Sequence, residues 1–309
     1  MLIRKLLLPI FVLVIPWTAT ASAWKIEQSF DVSNDGQLSV RTERGSISVD
    51  THSATQVAVS IEIWGFDEDE VEVDFDHKGD SLDIDADVSG RSFGQRRIRF
   101  QITVPENYNL DLSTEGGSIQ VEALKGQVEV DTSGGSLTFF DIVGDIDGST
   151  SGGSIELEKV EGEVDVKTSG GSIQIEDVTG HVVADTSGGT IGIREVKGNV
   201  EAETSGGSIR LNDIMGSLEA STSGGSIRAS FSHPPGGDVS LDTSGGSVKV
   251  ELPTNTDMTV RARGHKVYSD FPVDGVTQAK RRLSGDINAG GPLLDLHSSG
   301  GSVYIEKRD

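Results

Sequence analysis

The side chains able to do chemistry in this chain are mostly carboxylates. There are 49 Asp and Glu against 26 Lys and Arg, a formal net charge of −23. The densest run, Asp67-Glu-Asp-Glu70, continues through Glu72, Asp74, Asp76, Asp80, Asp83, Asp85 and Asp87. Such a run either holds a divalent cation or forms the solvated face of a hairpin. Its spacing fits no known calcium loop, so alternate acids pointing to solvent is the reading. Arg91, Arg96, Arg97 and Arg99 follow it and are expected to pair with it across strands. A second arrangement is the short rows formed by Glu156, Glu158 and Glu176. Paired carboxylates cleave glycosides, which makes a carbohydrate-active β-helix enzyme the alternative function. No one pair is distinguished, and no constellation of acid, base and orienting group emerges. A third is Trp64 with Phe66, either a stacking platform for a sugar ring or a cover for the end of the fold.

Other chemistries find no support. His52, His77, His181, His233, His265 and His297 are scattered without metal-ligand spacing, and the sequence has no cysteine to build a structural zinc site. No serine sits in a nucleophile elbow, and the glycine-rich segments lack the lysine of a phosphate-binding loop. The calcium-binding β-roll needs Gly and Asp two and four places after its Gly-Gly. Those places are Ile173 and Ile175 in one copy here, and apolar in the others. No catalytic residue, cofactor or metal is therefore assigned.

What must position these side chains is a repeat. Thr168-Ser-Gly-Gly-Ser-Ile173 recurs, with small variations, from Thr114, Thr132, Thr150, Thr186, Thr204 and Thr222, every 18 residues. Further copies begin at Thr243 and Ser298, and a degraded one is Thr42-Glu-Arg-Gly-Ser-Ile47. A strict period near 20 marks a solenoid. Before each motif, Val164 and Val166 alternate with polar residues; after it, Ile173 and Ile175 do, with Val178 beyond. The alternation, the β-branched content and the lack of a 3.6-residue period predict strands, with like residues stacked about 4.8 Å apart. The fold class is all-β: a single-stranded parallel β-solenoid of 18-residue coils, right-handed by the crossover rule. Each coil should hold at least two strands and a short third face near Val178.

Sharp corners are expected at the paired glycines: Gly116 and Gly117, Gly134 and Gly135, Gly152 and Gly153, Gly170 and Gly171, Gly188 and Gly189, Gly206 and Gly207, Gly224 and Gly225. The reason anticipated is the freedom of glycine at positive φ. The motif threonine should point inward, its hydroxyl satisfying backbone groups at the corner. A second corner falls at Gly126, Gly144, Gly162, Gly180, Gly198 and Gly216. Residues 24–109 read as first coils with inserted capping strands, including a hairpin turning at His77-Lys-Gly-Asp80. Residues 110–250 are the regular solenoid, interrupted by a loop at Phe231-Ser-His-Pro-Pro-Gly236. Residues 251–309 form C-terminal coils continuous with it, ending in a last coil that contains Leu294 and Val303. The whole reads as one domain.

Residues 1–23 have the form of a cleaved signal peptide. Arg4 and Lys5 precede the apolar run Leu6 to Trp17, and Ala21-Ser-Ala23 is a cleavage site. The mature chain would carry 24 basic and 49 acidic residues, a charge of −25. No transmembrane segment is expected in it, and so acidic a protein repels nucleic acid. Location is expected to be the periplasm, or the extracellular space or cell surface.

The Thr-Ser-Gly-Gly-Ser-Ile copies, the strand starts Val104-Pro and Leu252-Pro, and the ending Gly290-Gly-Pro-Leu-Leu-Asp-Leu-His-Ser-Ser-Gly-Gly-Ser-Val303 resemble a bacterial family of unknown function labelled putative adhesin. The resemblance spans roughly residues 36–308, the extent of the periodic pattern. It implies an exported β-solenoid without a catalytic motif. The function expected is a non-catalytic module that presents an acidic repeat surface to a glycan, a cell-envelope component or a protein. A periplasmic envelope scaffold or stress module is a further alternative.

Overall fold

The computed structural model describes residues 23–89, 96–274 and 280–308. The expected signal segment up to Ser22, and Arg91, lie outside them. The protein is all-β. Two 14-stranded sheets, here sheet A and sheet B, enclose the apolar interior. Each coil gives one strand to sheet B, turns at its Gly-Gly corner, and gives the next strand to sheet A. In sheet B, Val128–Thr132 pairs in parallel with Tyr108–Thr114 on one side and Ile146–Thr150 on the other, Thr132 facing Thr114 and Thr150. In sheet A, Leu137–Val143 pairs likewise with Ile119–Glu122 and Ile155–Glu161.

Period-two alternation is what forces this arrangement. Val164, Val166, Ile173, Ile175 and Val178 are each no more than 2% exposed, while Asp165 and Gln174 between them face out. Because residues stack on their own kind, each inward column is continuous, and a fully buried Ile or Val contributes roughly 1.5–3 kcal/mol. The interior is one cluster reaching from Val32 to Ile305.

The corners depart from expectation in their cause. None of the paired glycines takes a φ in the left-handed region. The second of each pair is required by close approach instead. A Cβ on Gly153 would stand 1.9 Å from the Gly135 carbonyl oxygen, whereas one on Gly152 would find its nearest neighbour at 3.6 Å. That carbonyl is where the threonine hydroxyl docks. Thr150 Oγ1 donates to Gly135 O at 2.8 Å and accepts from Gly153 N–H at 3.2 Å. Thr168 repeats the pattern one coil on, to Gly153 O at 2.8 Å and from Gly171 N–H at 3.3 Å. The hydroxyls and glycine peptides thus form a relay along the corner, which keeps buried backbone groups paired. The motif serine adds a second line. Ser136 Oγ accepts from Ser154 N–H at 3.2 Å, and Ser154 Oγ from Ser172 N–H at 3.3 Å, each pair being 18 residues apart.

The opposite corner does use positive φ, at Gly126, Gly144, Gly162 and Gly180 as expected and, unexpectedly, also at a stack of non-glycine residues. Ala123, Asp141, Lys159, Asp177, Glu195 and Asp213 stack with φ between 53° and 59°. This kink turns the end of each sheet A strand so that Ile142, Val160 and Val178 re-enter the core, and it makes the short third face. Glycine is still needed at Gly144, where a Cβ would meet the Gly126 carbonyl at 2.0 Å.

At both ends, spatial order departs from chain order. Gly36–Thr42 and Ser46–His52 lie directly beside the coil of Tyr108–Thr114 and Ile119–Glu122, and the intervening chain packs outside them. There the edges are Ala23–Asp31 in sheet A and Val71–Lys78 in sheet B, both antiparallel to their neighbours. At the other end, Leu293–Ser298 and Val303–Arg308 are not the last rung. They insert beside Val239–Thr243 and Val248–Pro253, while Met258–Arg263 and then Arg282–Ile287 lie beyond them in sheet B. The last coil in the chain is thus not the last in the stack. Leu294 and Leu296 share the inward columns of Val239 and Leu241, so this coil fits the regular interior.

Candidate binding surfaces

The acidic run forms the hairpin anticipated for it. Val71–Lys78 pairs antiparallel with Ser81–Val88, and Gly79 at φ 64° makes the turn. Glu72 faces Asp87, Asp74 faces Asp85 and Asp76 faces Asp83, so carboxylate columns stand opposite each other on the outer face. Of the expected arginines among the described residues, Arg96 alone makes an ion pair with the run, at 3.1 Å from Glu70. Arg97 and Arg99 lie in sheet A, which is why they miss it. Their guanidinium groups stand 5.9 and 5.8 Å from the Trp64 ring. Asp85 is met by Arg41, which bridges to Asp111 at 3.5 Å. Among the described residues no group of three or more His, Cys, Asp or Glu is placed to hold a metal ion.

The aromatic pair does not form a platform. Phe66 is 2% exposed beneath Arg96, whose guanidinium lies 4.8 Å from the ring, and its carbonyl accepts from Trp24 Nε1 at 3.2 Å. Only Trp64 is partly accessible. Of the glutamate rows, Glu158 and Glu176 stand opposite each other, each with a cationic partner. Glu158 is paired with Lys159 at 3.7 Å and Glu176 with Arg194, on an open outer face of sheet A.

The outer face of sheet B carries rows of stacked carboxylates. Asp111, Glu129, Asp147 and Asp165 stand in one column, with Glu201 and Glu219 further along it. The neighbouring column holds Asp131, Lys167, Asp185 and Glu203. A shallow hollow of about 430 Å³ is lined here by Asp111, Glu129, Asp147 and Asp165. Burial is the main cause that raises the Asp185 carboxyl above its ordinary range. Lys167 opposes it, and Asp165 and Glu201 add to it. Lys167 is held protonated above its usual range by its bond to Asp165, at 3.0 Å. Position alternation predicted this face, since every second residue of a half-buried strand must look outward.

One group escaped the sequence reading. Arg261, Arg263 and Arg282 gather on the outer face of sheet B at its C-terminal end, around a hollow of about 480 Å³ shared with His297. The available signal was Val260-Arg-Ala-Arg263, an outward arginine pair in an acidic chain.

The Toastrack DUF4097 family profile matches residues 35–306, and the chain belongs to that family. Among curated proteins none matches. A putative adhesin from Bacteroides fragilis shares 14% identity over 92% of this chain and 97% of its own, with a TM-score of 0.40. One from Parabacteroides distasonis shares 12% identity over 92% and 97%, with a TM-score of 0.39. A putative cell adhesion protein from Clostridium sporogenes shares 10% over 92% and 100%, with a TM-score of 0.23.

Proposed function

We propose that this protein is a non-catalytic, exported binding module that presents a flat, acidic repeat surface to a cell-envelope component, a glycan or another protein. The observation that carries the reading is the stacked carboxylate face of sheet B. Its rungs repeat every strand spacing, so one contact made on one coil can be made again on the next. The excess of negative charge over such a face attracts cationic groups and disfavours polyanions. Export rests on the basic start, apolar run and Ala21-Ser-Ala23 site. No helix among the described residues is long and apolar enough to cross a membrane.

The test is location followed by capture. The full chain, tagged at its C-terminus, is expressed in its own host, and cells are fractionated and shaved with protease. Release with the periplasm, or digestion on intact cells, is expected. Retention with the cytosol overturns the reading. Crosslinking in cells should then trap an envelope partner. Replacing Glu129, Asp147 and Glu201 by their amides should abolish that capture; capture that survives the change removes the acidic face from the account.

A further inference from the structure

We propose that the hollow at the C-terminal end of sheet B binds a single anionic group, a carboxylate or a phosphate, carried on a sugar. The site comes from four strands that are distant in sequence. Arg263 lies opposite Arg282 on one side and His297 on the other, and His297 lies opposite Asp242. The next outward row runs Ser284, Arg261, Asp295 and Ser240. Three guanidinium groups and an imidazole therefore share one open cavity of about 480 Å³.

Two features set this group apart from ordinary surface charge. Like charges directly opposite on an antiparallel pair destabilise it, and Arg263 with Arg282 is such a pair. The chain has acids in excess, yet no described carboxylate makes an ion pair with Arg261, Arg263 or Arg282. The acids nearby are otherwise disposed. Asp242 Oδ2 meets His297 Nδ1 at 3.0 Å, and Asp286 accepts from Thr259 Oγ1 at 2.7 Å. Asp295 faces Arg261 in register without an ion pair, and it limits how much negative charge the hollow accepts. Guanidinium groups present paired donors that match a carboxylate or phosphate, so an oxyanion supplies the missing partner.

The surroundings narrow the ligand. The same face continues past Asp242 toward Glu219 and Glu201, so an extended polyanion lying along the solenoid would meet carboxylates at every rung. One anionic group on a neutral body avoids that repulsion. Ser240 and Ser284 border the arginines and are exposed, offering hydroxyl donors and acceptors to sugar hydroxyls.

This inference rests on the reading of the protein as a binding module. It is tested on the purified mature chain by calorimetric titration at low salt with glucuronate, glucose 6-phosphate, inorganic phosphate and glucose. Both sugar acids should bind more tightly than inorganic phosphate, glucose should not bind, and added salt should weaken the binding. Arg263→Gln and Arg282→Gln should each weaken it about tenfold, the loss of one charged hydrogen bond. Arg210→Gln, on the outer face of sheet A, should leave it unchanged, and circular dichroism should show every variant folded. Sugar acids that bind no more tightly than inorganic phosphate overturn the sugar assignment. Affinity unchanged in Arg263→Gln overturns the site. So does an absence of probe binding together with self-association lost in Arg263→Gln, because the acidic end of a second copy would then be the occupant. A cytosolic location with probe binding intact strikes the export reading alone; an exported chain that binds no probe strikes this inference alone.

Discussion

The centre of sheet B and its C-terminal end share an interior and differ in what they show to solvent. Leu241, Leu296 and Ala262 occupy one inward column, all buried. One residue further along the same three strands stand Asp242, His297 and Arg263. Toward the centre of the sheet the outward columns are mostly carboxylates; at the end arginines take their place. The contrast teaches that the two halves of the alternation carry separate information. Inward residues must match their neighbours above and below, because a column has no room for a misfit. Outward residues only need to tolerate water, so their charge can reverse within a few rungs without disturbing the ladder.

The sharpest way to break this comparison is to exchange the two kinds of position. Ile173→Asp places an unpaired charge in the stacked interior and should cost about 4–5 kcal/mol. Gln174→Asp, its outward neighbour, should cost under about 0.5 kcal/mol. Chemical denaturation of both variants measures the difference; equal losses would mean that the inward columns are wrongly assigned.

A narrower contrast divides the glycine pair. Gly153→Ala drives a methyl group into the Gly135 carbonyl and should cost about 3 kcal/mol, because backbone on both sides must move. Gly152→Ala meets only ordinary contacts and should stay within about 0.5 kcal/mol. Melting temperatures of the pair decide the matter. A large loss at Gly152 would point to a backbone conformation that alanine resists, not to close approach.

The smallest effect lies on the acidic face itself. Asp185 holds its proton more tightly in the folded protein than in the unfolded chain, chiefly because it is partly desolvated. Its ionisation therefore works against folding. The penalty is absent well below pH 3.8, grows as pH rises through the raised value, and is complete at neutral pH. Asp185→Asn should raise the melting temperature at pH 7 and leave it unchanged near pH 3. A shift of equal size at both values would trace the effect to packing.

Much of this molecule was legible in its sequence because its constraints are local and repeated. The Thr-Ser-Gly-Gly-Ser period announced the corner. Alternation named Ile173 as inward and Gln174 as outward. The hairpin at Gly79 followed from its turn residues. The cause of the glycine pair was not legible, because a clash with the coil below depends on how closely two peptides approach. Nor was the burial of Phe66, since periodicity says nothing of an aromatic at an irregular end. The column of residues from Ala123 to Asp213 at positive φ left only a partial mark: Asp141, Asp177 and Asp213 are of a type that favours it, whereas Ala123, Lys159 and Glu195 are not.

The sequence by itself determined the coil: which residues face in, where each corner falls, and that the outer face of the regular coils is acidic. Tertiary structure alone decided the order of the coils at the two ends. A strand pattern specifies what a rung offers to its neighbours, but several rungs offer nearly the same inward columns. Insertion of Leu293–Ser298 between Val239–Thr243 and Met258–Arg263 is visible only in the folded sheet. That insertion is what brings Arg261, Arg263, Arg282 and His297 onto one surface.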